Sequence, residues 1–207
     1  MRFDWVSAGL ILIALVATVA VYPRLPETIP RHWNVHGEVD AWGPRASIFG
    51  MIAVTVALYG LFLLLPRLDR RLAARPGAYP VLVRAFVIMF LVIHGGTVAA
   101  ARGYPLRMLQ WTGVTLGLLM VYVGNQLPRL RPNYVAGIRT PWTLGDEAVW
   151  RATHRAGGYL ATAGGLGLVA ASLVLSEPGV VVAILGFLLV MIGFSIAYPY
   201  SLCRRRR

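Results

Sequence analysis

The stretch ASIFGMIAVTVALYGLFLLL, residues 46–65, carries no charged side chain. A helix needs roughly 20 mostly apolar residues to cross a bilayer, and this segment supplies them. Working outward, five more segments have comparable length and character: Trp5–Tyr22, Pro80–Ala101, Leu106–Gln126, Gly157–Ser176 and Gly179–Tyr200. Buried helices of a soluble protein are excluded by composition. The chain is 57% hydrophobic and only 14% charged, against about a quarter charged for a soluble domain, so too little polar sequence exists to coat such helices. The expected fold is an all-α integral membrane protein, a six-transmembrane-helix bundle forming one membrane domain over residues 1–207. The first apolar run lacks a strongly basic flank and a small-residue cleavage site, so it reads as a retained helix rather than a signal peptide.

Prolines mark many of the expected ends: Pro23, Pro66, Pro80, Pro105, Pro128, Pro178 and Pro199. Proline lacks the amide donor and clashes with the preceding turn, so it suits helix starts and stops better than middles. The tripeptide Pro-Arg-Leu occurs at Pro23, Pro66 and Pro128 and reads as one stop-and-anchor signal used three times. Small residues mark faces where helices can approach closely: Gly113 and Gly117 in the fourth segment, and Gly157, Ala161 and Gly165 in the fifth.

The net charge is +12. The basic residues are all arginines and lie mostly in loops beside apolar segments, which fits anionic lipid headgroups and not direct nucleic-acid binding. Their distribution sets direction, because short cytoplasmic loops accumulate positive charge. With the N terminus inside, the inner loops hold Arg2, Arg67, Arg70, Arg71, Arg75, Arg129, Arg131, Arg139, Arg151, Arg155 and the run Arg204–Arg207. The outer side holds Arg24, Arg31, Arg45, Arg102 and Arg107. Both termini are therefore expected in the cytoplasm of a bacterium, with the chain in its cell membrane. Arg84 lies near the inner end of the third segment and is expected to snorkel. The lone Cys203 permits no internal disulfide.

Two loops concentrate the polar chemistry. Residues 23–45 are expected outside and include LPETIPRHWNVHGEVDAWGPR, Leu25–Arg45. Pro30 and Gly37 frame about two helical turns, which would set His32 and His36 on one face with Asp40 beyond the turn. Two imidazoles and a carboxylate are a candidate shell for a divalent metal such as zinc. A hydrogen-bonded lid with His32, Asn34 and Asp40 capping backbone groups is the alternative. Residues 127–156 are expected inside. Thr143 followed by Asp146 reads as a capping box that starts a helix near Leu144, with Glu147 and Arg151 as a favourable i, i+4 pair. The result would be a short amphipathic helix along the inner membrane surface, with Arg139 and Thr140 before it placed to hold an anion.

These two loops together resemble the SdpI family of bacterial membrane proteins. The first carries the pattern LP-x-x-IP-x-HWN-x-x-G-x-x-D through Leu25, Pro26, Ile29, Pro30, His32, Trp33, Asn34, Gly37 and Asp40. The second resembles the other family signature through Asn133, Gly137, Ile138, Arg139, Thr140, Pro141, Trp142, Thr143, Leu144, Glu147, Trp150, Thr153, His154, Arg155 and Gly158. His36 is not part of the pattern. The resemblance implies immunity to a secreted, membrane-active toxic peptide, and signal transduction by sequestering a cytoplasmic repressor protein. It places ligand binding on His32, Asn34, Gly37 and Asp40, and partner binding on Asn133, Arg139, Thr140, Trp142, Glu147, Trp150, His154 and Arg155. Two rivals stand beside it: a metal-dependent membrane enzyme using His32, His36 and Asp40, and a small transporter.

His94 sits mid-span in the third segment. An ionisable group at that depth needs a partner, and Thr97, Thr112 and Thr115 are the candidates by depth. No Asp or Glu lies within the six segments, which argues against a proton relay.

Overall fold

The computed structural model describes residues 4–69, 72 and 77–205. Arg2, Arg70, Arg71, Arg75, Arg206 and Arg207 lie outside the described residues. The chain is mostly helical: α1 Trp5–Val21, α2 Phe49–Leu64, α3 Tyr79–Ala101, α4 Met108–Gln126, the short α5 Pro141–Gly145, α6 Glu147–Val174 and α7 Glu177–Arg204. Five helical stretches are long and apolar enough to cross a membrane: Trp5–Arg24, Arg45–Leu68, Tyr79–Ala101, Glu147–Val174 and Glu177–Arg204. The chain is thus a multi-pass membrane protein. α4 is less apolar because Gln110, Thr112, Thr115, Asn125 and Gln126 interrupt it.

Each Pro-Arg-Leu tripeptide sits at a 3-10 turn directly after a long helix: Tyr22–Arg24, Leu65–Leu68 and Leu127–Arg129. Proline ends the α-helix, and the tighter turn recovers some of the freed carbonyls. Pro199 behaves otherwise. It lies buried inside α7, which continues to Arg204 rather than stopping at Tyr200.

The two small-residue faces meet each other, and α4 against α6 is the most extensive helix contact. A Cβ on Gly117 would lie 2.7 Å from the Gly165 carbonyl oxygen, and one on Gly165 would lie 2.6 Å from that of Gly117. Gly124 and Gly158 face each other in the same way, at 2.6 Å. Backbone touches backbone, as small residues permit in membranes. Gly157 is turned away from α4 and meets Ile138 and Phe194.

α1, α2 and α3 pack through Ile11, Ile52, Tyr59, Tyr79, Val83 and Val87. An ion pair ties the first to the third, with Arg84 Nη2 donating to Asp4 Oδ1 at 3.0 Å and Nε to Oδ2 at 3.3 Å. Arg84 is therefore held by Asp4 while part of its side chain stays exposed. Deeper, His94 Nε2 lies 2.8 Å from Thr18 Oγ1. The threonine hydroxyl donates to the Ala14 carbonyl at 2.7 Å, so its oxygen accepts from the imidazole N–H. The partner comes from α1, and Thr97 and Thr115 instead bond carbonyls of their own helix.

The segment 23–45 corrects the expected helix. It is a β-hairpin, β1 Thr28–Trp33 and β2 Val39–Pro44, with antiparallel pairing and bulges around His32. Two causes are visible. Asn34 organises the turn, its Oδ1 accepting from the amides of His36 at 2.9 Å and Glu38 at 3.1 Å. Gly37 then takes φ +79°, which closes the turn at little steric cost. Ile29, only 1% exposed, anchors the hairpin in a cluster with Leu25, Ile48 and Ala101.

The segment 127–156 brings a second correction. The capping box lies at Thr140 and Thr143, one turn earlier than expected, and starts α5. Asp146 caps α6, accepting from the amides of Ala148 and Val149. α6 then runs unbroken for 28 residues. The residues expected to form a separate amphipathic helix are instead the first turns of α6, with Val149, Trp150, Thr153 and His154 buried.

Candidate functional site

Polar chemistry gathers at the two ends of the bundle. At the hairpin end, the two strands set His32 Nδ1 2.6 Å from Asp40 Oδ1. Both side chains are exposed. An exposed pair adds about 0–1 kcal/mol to stability, so its value lies in the donors and acceptors it presents. Asn34 Nδ2 donates to Glu38 Oε2 at 3.0 Å, and Trp42 projects beside them, 63% exposed. His36 sits on the turn, away from the helical face it was expected to share with His32. Among the described residues no three His, Cys, Asp or Glu side chains converge. The hairpin pairs His32 with Asp40 and leaves His36 on the turn, so the three expected ligands do not converge.

The hairpin tip is seated on the bundle. A Cβ on Gly37 would lie 2.8 Å from Glu177 Cδ. Glu177 is buried at the start of α7 and accepts from Arg107 Nε at 3.1 Å through Oε1. Its other oxygen, Oε2, is buried without a hydrogen bond among the described residues.

At the opposite end, residues 130–154 fold into a plug on α6. Asn133, 2% exposed, closes a tight turn. Its Nδ2 donates to the Arg131 and Ala136 carbonyls, and its Oδ1 accepts from the Val135 and Ala136 amides. Asp69 Oδ2 accepts from the Tyr134 amide at 2.6 Å, binding the plug to the end of α2. Trp150 is fully buried, donates to the Leu130 carbonyl at 2.8 Å, and stacks on His154 at 3.9 Å between ring centres.

His154 uses both ring nitrogens. Nδ1 lies 2.9 Å from the Trp150 carbonyl and Nε2 receives the Ile138 amide at 3.0 Å. That fixes the tautomer with the proton on Nδ1. Gly137, with φ +105°, passes so close to His154 Nε2 that no side chain fits.

Asn133, Trp150 and His154 therefore build the plug rather than present a surface. Arg139, Glu147 and Arg155 remain exposed. Arg139 donates to the Tyr134 carbonyl through Nη1, and Thr140 is taken up by its cap. Glu147 pairs with Arg151 at 2.7 Å as expected. Trp142 meets Tyr200 of α7 edge-on at 5.3 Å, in a cleft of about 260 Å³ also lined by Cys203 and Arg204.

Residues 129–199, which span the plug, α5, α6 and most of α7, match the SdpI/YfhL protein family. Residues 9–56, which include the hairpin, match a domain of unknown function, DUF1648. The Immunity protein SdpI of Bacillus subtilis (strain 168) is 25% identical over 156 residues, covering 75% of this chain and 74% of that protein. No solved structure matches the chain significantly. The Gly37–Glu177 contact joins these two matched segments.

Sequence reasoning passed over Asp4, Asp69 and Glu177. The available signal was their rarity: eight acids in the chain, with lone acids at the edges of apolar segments.

Proposed function

We propose that the chain is an SdpI-type immunity and signalling protein of the bacterial cytoplasmic membrane, with six spans and both termini in the cytoplasm. The hairpin meets a secreted, membrane-active toxic peptide outside. The plug and its exposed arginines meet a cytoplasmic partner, a repressor protein in the family's manner. The arginine asymmetry supports the direction, and likeness to the Bacillus immunity protein supports immunity. α4 counts as the sixth span because it is sealed against α6 along its length and joins α3 through a connection too short for anything but an antiparallel hairpin.

One observation carries the reading. α7 contacts both loops: Glu177 at its start lies under Gly37, and Tyr200 near its end meets Trp142. Its 28 residues span about 42 Å at about 1.5 Å per residue, longer than the roughly 30 Å hydrocarbon core. A displacement of the hairpin thus reaches the plug through one helix.

Expression in a cell sensitive to such a peptide tests this. The chain raises survival, and Asp40→Ala or Arg139→Ala lowers it at equal membrane abundance. Absence of protection by the unaltered chain, correctly inserted, overturns the immunity reading.

A further inference from the structure

A groove of about 260 Å³ runs between α3 and α4 on the outer surface of the bundle. Its walls are apolar, with Ala85, Ile88 and Val92 on one side and Leu118 on the other. Its two ends differ. One carries the Arg84 guanidinium and the Tyr122 hydroxyl. The other stops at Val92, where Trp111 Nε1 donates to the Val92 carbonyl at 3.0 Å and Thr115 is turned back onto the Trp111 carbonyl at 2.7 Å. From Arg84 to Val92 the groove covers about 12 Å at about 1.5 Å per helical residue. One leaflet's share of the roughly 30 Å hydrocarbon core is of that order.

We infer that this groove is a binding site for one glycerophospholipid, with an acyl chain between α3 and α4 and the phosphate at Arg84 and Tyr122. The geometry supplies the three features such a ligand needs: an apolar slot about one leaflet deep, a Trp111–Val92 bridge at its far end, and a cation held by Asp4 at the headgroup level. Asp4 takes Nε and Nη2 of Arg84, which holds the guanidinium plane in place and leaves the Nη1 edge for a phosphate oxygen. A planar fork of this kind suits phosphate. The inference needs only that the chain lies in a bilayer, and it stands whether or not the immunity reading holds.

Native mass spectrometry of the full chain in mild detergent tests it with three probes: phosphatidylglycerol, diacylglycerol of the same chains, and inorganic phosphate. One phosphatidylglycerol is retained per chain, diacylglycerol dissociates more readily, and phosphate alone leaves no adduct. Ala85→Phe fills the groove from α3 and reduces phospholipid retention about tenfold, the factor corresponding to about 1.4 kcal/mol. Leu118→Phe does the same from the opposite wall, so the outcome does not depend on one variant folding. Tyr122→Phe weakens phosphatidylglycerol and leaves diacylglycerol unchanged. Equal retention by the unaltered chain and both groove-filling variants overturns the site, and so does phosphate binding without a lipid chain, which reduces it to an ion contact at Arg84.

Discussion

Gly37, at the tip of the hairpin, rests directly on the side chain of Glu177, at the start of the last helix. The two residues are far apart in sequence and lie in different family-matched segments. The contact leaves no room for a Cβ, and φ at Gly37 is +79°, so two separate demands select glycine. Gly37→Ala carries about 1 kcal/mol of left-handed strain together with a clash. Hydrogen exchange reads the result: amides of residues 28–44 lose protection in Gly37→Ala. Adding Glu177→Ala relieves the clash and leaves the strain, so part of the protection returns. Unchanged protection in Gly37→Ala would show that the hairpin is not seated on α7.

The plug is over-determined around His154. Gly137→Ala drives a methyl group onto Nε2 and breaks the bond from the Ile138 amide. Overpacking costs about 1–3 kcal/mol, and stranding a buried polar group costs a similar amount. Denaturation in detergent shows a loss of roughly 2–6 kcal/mol by those two effects. Arg155→Ala, at an exposed position on the same helix, stays within about 0.5 kcal/mol.

The α4–α6 crossing tolerates no side chain. Gly165→Leu would have to displace the Gly117 carbonyl and the Val121 amide, both backbone, so the helices must separate. Gly186→Leu is the control, because nothing lies within 4 Å of a Cβ there. Thermal unfolding in detergent shows a large fall in Tm for the first and almost none for the second. Equal effects would contradict the packing of these two helices.

Acid releases the clasp between α1 and α3. Burial pushes the Asp4 carboxyl up, but the Arg84 guanidinium and the Ser7 hydroxyl outweigh it and hold the group below its ordinary value. A carboxyl depressed in the folded state stabilises fully above its unfolded pKa of about 3.9, and that contribution is lost as pH falls through the lower folded value. The Tm difference between the unaltered chain and Asp4→Asn is therefore flat from neutral pH down to roughly pH 5 and shrinks only below the ordinary Asp range. A difference that vanished between pH 7 and 5 would place another group in control.

The apolar spans were legible because hydropathy alone specifies a membrane helix, and the Pro-Arg-Leu turns because proline acts locally. The glycine faces were visible, but one sequence does not say which faces meet. The hairpin was misread for a physical reason: a proline before and a glycine after a short polar run frame a two-turn helix and a β-turn equally well. The deciding interaction, Asn34 bonding the amides of its own turn, is a side-chain choice that periodicity does not report. Likewise Thr140-Pro141 outcompeted Thr143 as a cap, since proline at the first helical position needs no donor. Asp4 with Arg84, Thr18 with His94, and Arg107 with Glu177 lie 80, 76 and 70 residues apart, beyond the reach of any local pattern.

The central claim is that the hairpin and the plug face opposite sides of one membrane, joined by α7. The native Cys203, in the cleft with Trp142 and Tyr200, and an introduced thiol at the exposed hairpin position His36 report the two sides. In intact cells a membrane-impermeant maleimide labels His36→Cys in a Cys203→Ser background and leaves the unaltered chain unlabelled until the membrane is opened. Labelling of both thiols from the same side would contradict the account.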